Sequence, residues 1–251
     1  MKAITTLMFL FFGFCVYAEV PPWLVVFRDA VYNQNISIAA AESMFQDAER
    51  QAIGSLSGPA LYTMLSRCEY LLGKVNQDHD RINEAAARYE KGISLAERSL
   101  AEGNNTQAAS LRAEAYEMIA SNIGQLCMIK SRPWVMANGL KVEENAKKAL
   151  QHDSRNAGAL YLIASRWAFG PGPLGNPRRG ITELEAILNG QANLQKDNFF
   201  NVYSALAHAC LRINRDQDAL SWVQKSLDLY PTNKFALDMQ TQIQQKLRTA
   251  R

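Results

Sequence analysis

Three histidines, His79, His152 and His208, are the side chains best suited to acid–base or metal chemistry near neutral pH. They stand far apart, with no H-E-x-x-H and no other metal-ligand spacing among them. Asp78-His79-Asp80 has the residue types of a metal site, yet it reads better as a polar turn whose Asp80 caps the following helix. Gly54-Ser55-Leu56-Ser57-Gly58 has the glycine spacing of a nucleophile elbow, but Leu56 stands where the nucleophile belongs and no strand precedes it. Neither a P-loop nor a dinucleotide fingerprint occurs. The expectation is a protein that is not an enzyme, with no catalytic residue, no metal and no cofactor.

The elements around these residues are helical. Hydrophobic residues make up 48% of the 251 and charged residues 20%, ordinary values for a chain that builds a core. A formal charge of +3 gives no concentrated basic face, so nucleic acid is not an expected partner. Residues 1–18 read as a signal peptide: Lys2, an apolar stretch over 7–16, then Val16-Tyr17-Ala18 with small residues at the cleavage positions. The stretch is short for a bilayer span, which needs about 20 residues, although an uncleaved anchor is the alternative. Lipid attachment at Cys15 is disfavoured by Phe14, since that processing needs a small residue before the cysteine. Cleavage leaves Cys68, Cys127 and Cys210, an odd number scattered through apolar helical patterns and read as small buried hydrophobes.

Apolar residues recur at period 3.6 almost throughout, with no sustained strand alternation. A short helix is expected over 23–32, and another after Ser37, carrying Ala41, Phe45, Ala48 and Ala52 and ending at Gly54. Ser57-Gly58-Pro59 opens a helix with Leu61, Leu65, Cys68 and Leu72 on one face; Ile82, Ala85, Tyr89 and Ala96 stripe the next. Gly103-Asn104-Asn105-Thr106 marks a turn, and Arg132-Pro133-Trp134 an irregular insert. Asn35-Ile36-Ser37 and Asn104-Asn105-Thr106 match glycosylation sequons, which matter only in a host that glycosylates exported proteins.

A four-position spacing of three, one and three recurs at Tyr116-Ile119-Ala120-Ile123, Leu160-Ile163-Ala164-Trp167 and Tyr203-Leu206-Ala207-Cys210. The last is followed by Ala219, Val223, Ser226 and Pro231 on a partner helix. This pattern resembles the tetratricopeptide (TPR) repeat, a helix–turn–helix unit of about 34 residues that stacks into a solenoid. A generic bundle with packing alanines is the rival. After Trp167, a Gly/Pro-rich turn over 168–179 runs about four residues longer than the template. With the helix after it, that turn is similar to a loop in periplasmic TPR-like lipoproteins associated with tripartite (TRAP) solute transporters, over about residues 146–188. The resemblance implies a helical periplasmic partner protein tied to ligand uptake; a rigid connector is the plain alternative.

The expected fold is all-α, an antiparallel helix-pair solenoid with a TPR-like right-handed superhelix after a cleaved signal peptide. Its expected parts are the signal peptide at 1–18, a divergent helical part at 19–105, and repeats with a capping helix at 106–251. The expected function is a periplasmic or secreted interaction scaffold that binds a protein or peptide through its concave face. A ligand-binding accessory of a solute-uptake system is the alternative, marked by an enclosed pocket near Trp167 and the 170–177 loop. A transporter component or a small ligand is then the partner, and no stable membrane span remains after cleavage. In the repeat template, positions one, five and nine after the first large residue point into the groove. They are Tyr161, Ser165 and Phe169; Ser204, His208 and Arg212; and Glu117, Ser121 and Gln125. Core positions for Tyr161 and Phe169 are the alternative.

Overall fold

The computed structural model describes residues 20–103, 108–172 and 175–249. The expected signal peptide with Cys15, most of the turn at 103–106 and part of the 170–177 loop lie outside the described residues. Twelve helices follow one another and no strand occurs among the described residues, so the protein is all-α. They are Pro22–Asn33 (α1), Ile38–Ser55 (α2), Gly58–Asp78 (α3), Ile82–Glu102 (α4), Ala109–Ile129 (α5) and Arg132–Asn138 (α6). Leu140–His152 (α7), Ala157–Phe169 (α8), Pro177–Asn189 (α9), Lys196–Arg212 (α10), Asp216–Leu229 (α11) and Lys234–Thr249 (α12) complete the order.

Local chemistry sets many of the boundaries. Ser37, Asn156 and Asn176 accept hydrogen bonds from the backbone N–H of Ala40, Ala159 and Arg179 at 3.2, 2.8 and 3.1 Å, capping α2, α8 and α9. Proline sits in the first turn of α1, α3, α6 and α9, where its missing N–H costs nothing. Two local expectations are corrected. Asp80 does not cap α4: it takes a left-handed φ of 58° in the turn, and Arg81 occupies the cap position without a side-chain bond. The segment at Arg132-Pro133-Trp134 is not irregular but opens the short helix α6, because Pro133 suits a first turn and Trp134 packs against the cluster of Ala85, Ala86, Tyr89 and Leu126.

Neighbours in sequence are mostly neighbours in space. Helix α3 packs along α4, α4 along α5, and α5 on α7; then α7 to α12 each pack on the next. Small residues permit the closest approaches. A Cβ on Gly180 would lie 2.8 Å from the backbone N of Ala168, so α8 and α9 pack backbone to backbone there. Ala207 and Ala219 are fully buried on the packed pair α10 and α11.

Helix α1 does something different, since it bridges distant parts of the chain. Leu24, Phe27, Val31 and Tyr32 are buried in a core shared with α2 and α3 on one side and α8 to α12 on the other. Each such apolar side chain contributes roughly 1.5–3 kcal/mol on burial. The end of α1 is then satisfied by the turn between α11 and α12. Thr232 Oγ1 donates to the Asn33 carbonyl at 2.6 Å, and Asn233 Nδ2 to the Tyr32 carbonyl at 2.7 Å. The Lys234 N–H donates to Gln34 Oε1 at 2.7 Å.

Candidate functional site

Polar side chains in the middle of α1 meet the first turn of α10 and form a clasp. Asp29 accepts from Arg28 Nε at 3.1 Å, Lys196 Nζ at 2.9 Å and the Tyr230 hydroxyl at 2.9 Å. Arg28 also pairs with Asp197 at 3.0 Å. Burial pushes the Asp29 carboxyl up, but the bonds from Lys196 and Tyr230, with Arg28 beside it, hold it below its ordinary range. Tyr32 stacks on Tyr230 with ring centroids 5.3 Å apart, and its hydroxyl accepts from Asn201 Nδ2 at 3.1 Å.

Beside this clasp, α1 walls one side of a hollow of about 320 Å³. Helix α3 supplies Arg67 and Tyr70, α5 supplies Glu114, Glu117 and Ser121, and the starts of α8 and α10 close it. Glu117 and Ser121 are sequence-expected groove residues found here. Glu117 Oε1 accepts from Ser121 Oγ at 2.7 Å, and its Oε2 lies 3.4 Å from Arg67 Nη2. Burial pushes the Glu117 carboxyl up despite Arg67. A Cβ on Gly158 would come within 2.7 Å of Glu117 Oε1, so a side chain there would require that carboxylate to shift.

The other expected residues divide among different surroundings. Phe169 stacks on His208 with centroids 4.6 Å apart and faces Phe235 at 6.5 Å. Arg212 Nη1 donates to the Ala168 carbonyl at 2.7 Å, and burial together with Arg212 pushes the His208 pKa down. Phe169 and Phe235 are 39% and 46% exposed, so this cluster from α8, α10 and α12 presents aromatic surface to solvent. Gln125 Nε2 lies 3.4 Å from the Tyr70 hydroxyl, one turn beyond the hollow. Tyr161 packs against the main core, and burial pushes its hydroxyl up. Ser165 bonds back to the Leu162 carbonyl at 3.1 Å. Ser204 is buried and shares a 3.1 Å hydrogen bond with Ser226, so it serves the α10–α11 contact.

Trp167 does not border this hollow. The guanidinium carbons of Arg166 and Arg179 lie 4.7 and 3.9 Å from its ring centroid. The turn that follows is tightly built: Asn176 N donates to the Trp167 carbonyl at 3.0 Å, and a Cβ on Gly175 would sit 2.0 Å from the Gly170 carbonyl oxygen. His79 contacts the Ile36 carbonyl at 3.0 Å and His152 stacks on Tyr116, so the three histidines have separate surroundings. Burial pushes the Cys68 thiol up to about 12 and that of Cys210 to about 11, which disfavours the reactive thiolate.

Arg28, Arg67, Tyr70, Glu114 and Asp197 line the hollow without having been singled out by the repeat pattern. Arg28-Asp29 did carry a local signal, an ion pair set inside the otherwise apolar helix α1. Compared with protein-family models and with curated proteins, the chain matches none.

Proposed function

We propose that the protein is a non-catalytic binding module, a TPR-like helical solenoid whose inner face is partly roofed by α1 and holds a small ligand in the hollow beneath it. The observation that carries this reading is the hollow itself: ionisable and aromatic side chains from α1, α3, α5 and α10 converge on about 320 Å³ of space. That size is at the lower end of small-molecule sites, about 300–1,000 Å³. The successive packing of α7 to α12, with fully buried Ala207 and Ala219, supports the repeat register. The signal-peptide pattern at 1–18 supports an extracytoplasmic location, and the loop resemblance supports a role beside a solute-uptake system. A protein or peptide partner is the second reading, favoured by the exposed Phe169–His208–Phe235 cluster.

Native mass spectrometry of the protein isolated from its own cell envelope tests the first reading. A retained small molecule, lost when Ser121→Leu fills the hollow, is the expected result. A mass equal to the bare polypeptide, together with Ser121→Leu leaving every ligand response of the protein intact, would refute it. The same spectrum reads the N-terminus, expected at Glu19.

A further inference from the structure

The charges around the hollow do not balance. Arg28 is committed to Asp29 and Asp197 at 3.1 and 3.0 Å, and Lys196 is committed to Asp29 at 2.9 Å. Asn156 Oδ1 already accepts from the Ala159 N–H at the start of α8, and Asn198 Oδ1 accepts from the Gln195 N–H at the start of α10. At the rim, Asp153 Oδ1 accepts from the Arg155 N–H at 2.9 Å. Arg67, Glu114 and Glu117 remain. Arg67 makes one long contact of 3.4 Å to Glu117, and Glu114 has no ion pair among the described residues. One guanidinium thus serves two carboxylates, and the surplus negative charge stands where water is partly excluded. Burial pushes the Glu117 carboxyl up, Arg67 and Ser121 oppose this, and the Glu114 and Asp197 carboxylates add to it.

We propose that the hollow binds a small organic cation, an amine-bearing molecule whose ammonium group sits between Glu114 and Glu117. This rests on the ligand-binding reading above and adds the ligand's chemistry to it. Glu114 and the second lone pairs of Glu117 supply acceptors for the ammonium N–H groups. The Tyr70 ring borders the same space, and an aromatic ring attracts a cation placed over its face. Leu24, Leu71 and Met118 border the hollow and suit a short apolar tail. An anion in this space would face the carboxylates of Glu114, Glu117 and Asp197, with Arg67 as the one guanidinium not held by two carboxylates.

Calorimetric titration with three probes of equal length, n-hexylammonium, hexanoate and 1-hexanol, tests this on the full mature chain. Hexylammonium should bind saturably and at least ten-fold more tightly than either of the others. Glu114→Gln and Glu117→Gln should each weaken hexylammonium ten-fold or more while leaving hexanol unchanged, which controls for folding. Arg67→Gln should tighten it. Hexanol binding as well as hexylammonium would overturn the cation assignment while leaving a ligand site in place. Hexanoate binding equally or more tightly would also overturn it, and would make Arg67 the recognising group. No binding by any probe would overturn the cation assignment; the native-mass experiment separately decides whether the hollow holds a ligand at all.

Discussion

Asp29→Asn removes the charge at the centre of the α1 clasp and keeps the side chain's volume. Three donors converge on Asp29: Arg28 at 3.1 Å, Lys196 at 2.9 Å and Tyr230 at 2.9 Å. Hydrogen bonds to charged groups contribute about 1.5–3 kcal/mol each where solvent is excluded. The Asp29 and Lys196 side chains are 26% and 37% exposed, so the Lys196 pair belongs nearer the surface value of at most about 1 kcal/mol. Arg28 keeps Asp197 at 3.0 Å, and the Tyr230 hydroxyl still finds a neutral acceptor in the asparagine. The net loss is then about 2 kcal/mol, or roughly thirty-fold in the docking equilibrium of α1. The sign with pH follows from the depressed Asp29 carboxyl. Its contribution is present above the ordinary carboxyl range and is lost as pH falls through the folded value. Hydrogen exchange measured peptide by peptide reads this directly. The amides of 22–33 should exchange faster in Asp29→Asn than in the wild type, with α10 and α11 little changed. The wild type should lose that protection in acid, whereas the variant should show no such step. Unchanged exchange in α1, or equal acceleration in every helix, would refute the clasp as a separable device.

Ala207→Leu should overpack the α10–α11 contact and cost about 1–3 kcal/mol, read as a lower urea midpoint with an unchanged slope. Gly180→Ala should destabilise by a similar amount, about 1–3 kcal/mol, because the new methyl meets the backbone of Ala168 at 2.8 Å and that backbone cannot yield. The ring protons of His208 should titrate below the ordinary histidine value in NMR, and Arg212→Gln should move the midpoint up. The stability tied to His208 is full above the ordinary value and falls as pH drops toward its depressed folded value.

The helices were legible in the sequence where an apolar stripe and a local cap agreed, as in α2 after Ser37. Asp80 was misread because an aspartate fits a left-handed turn as well as a cap, and composition does not separate the two. The short helix α6 escaped notice because seven residues with no buried side chain leave no stripe to find. Phe169 and His208 were both chosen by their offset from the repeat spacing, and their rings stack between α8 and α10. The hollow's other residues were illegible for a physical reason. Arg67 meets Glu117 across 50 residues and Lys196 meets Asp29 across 167, and no local pattern encodes such pairings.

The bridge made by α1 also dictates an order of events as the chain folds. Tyr230 reaches Asp29, and Asn233 reaches Tyr32, across 201 residues. Closing a loop of that length costs on the order of 5 kcal/mol in chain entropy, while each pair of successive helices closes only a short one. The helix made early is therefore completed late, after the turn at 230–234 has formed. Until then, Leu24, Phe27 and Val31 lack the part of their cover that the last helices provide. A chain stopped before Tyr230 would keep many of its local helix pairs yet leave that stripe bare. Premature termination near the end of the gene should then yield a sticky, protease-sensitive product rather than a slightly shorter version of the same protein.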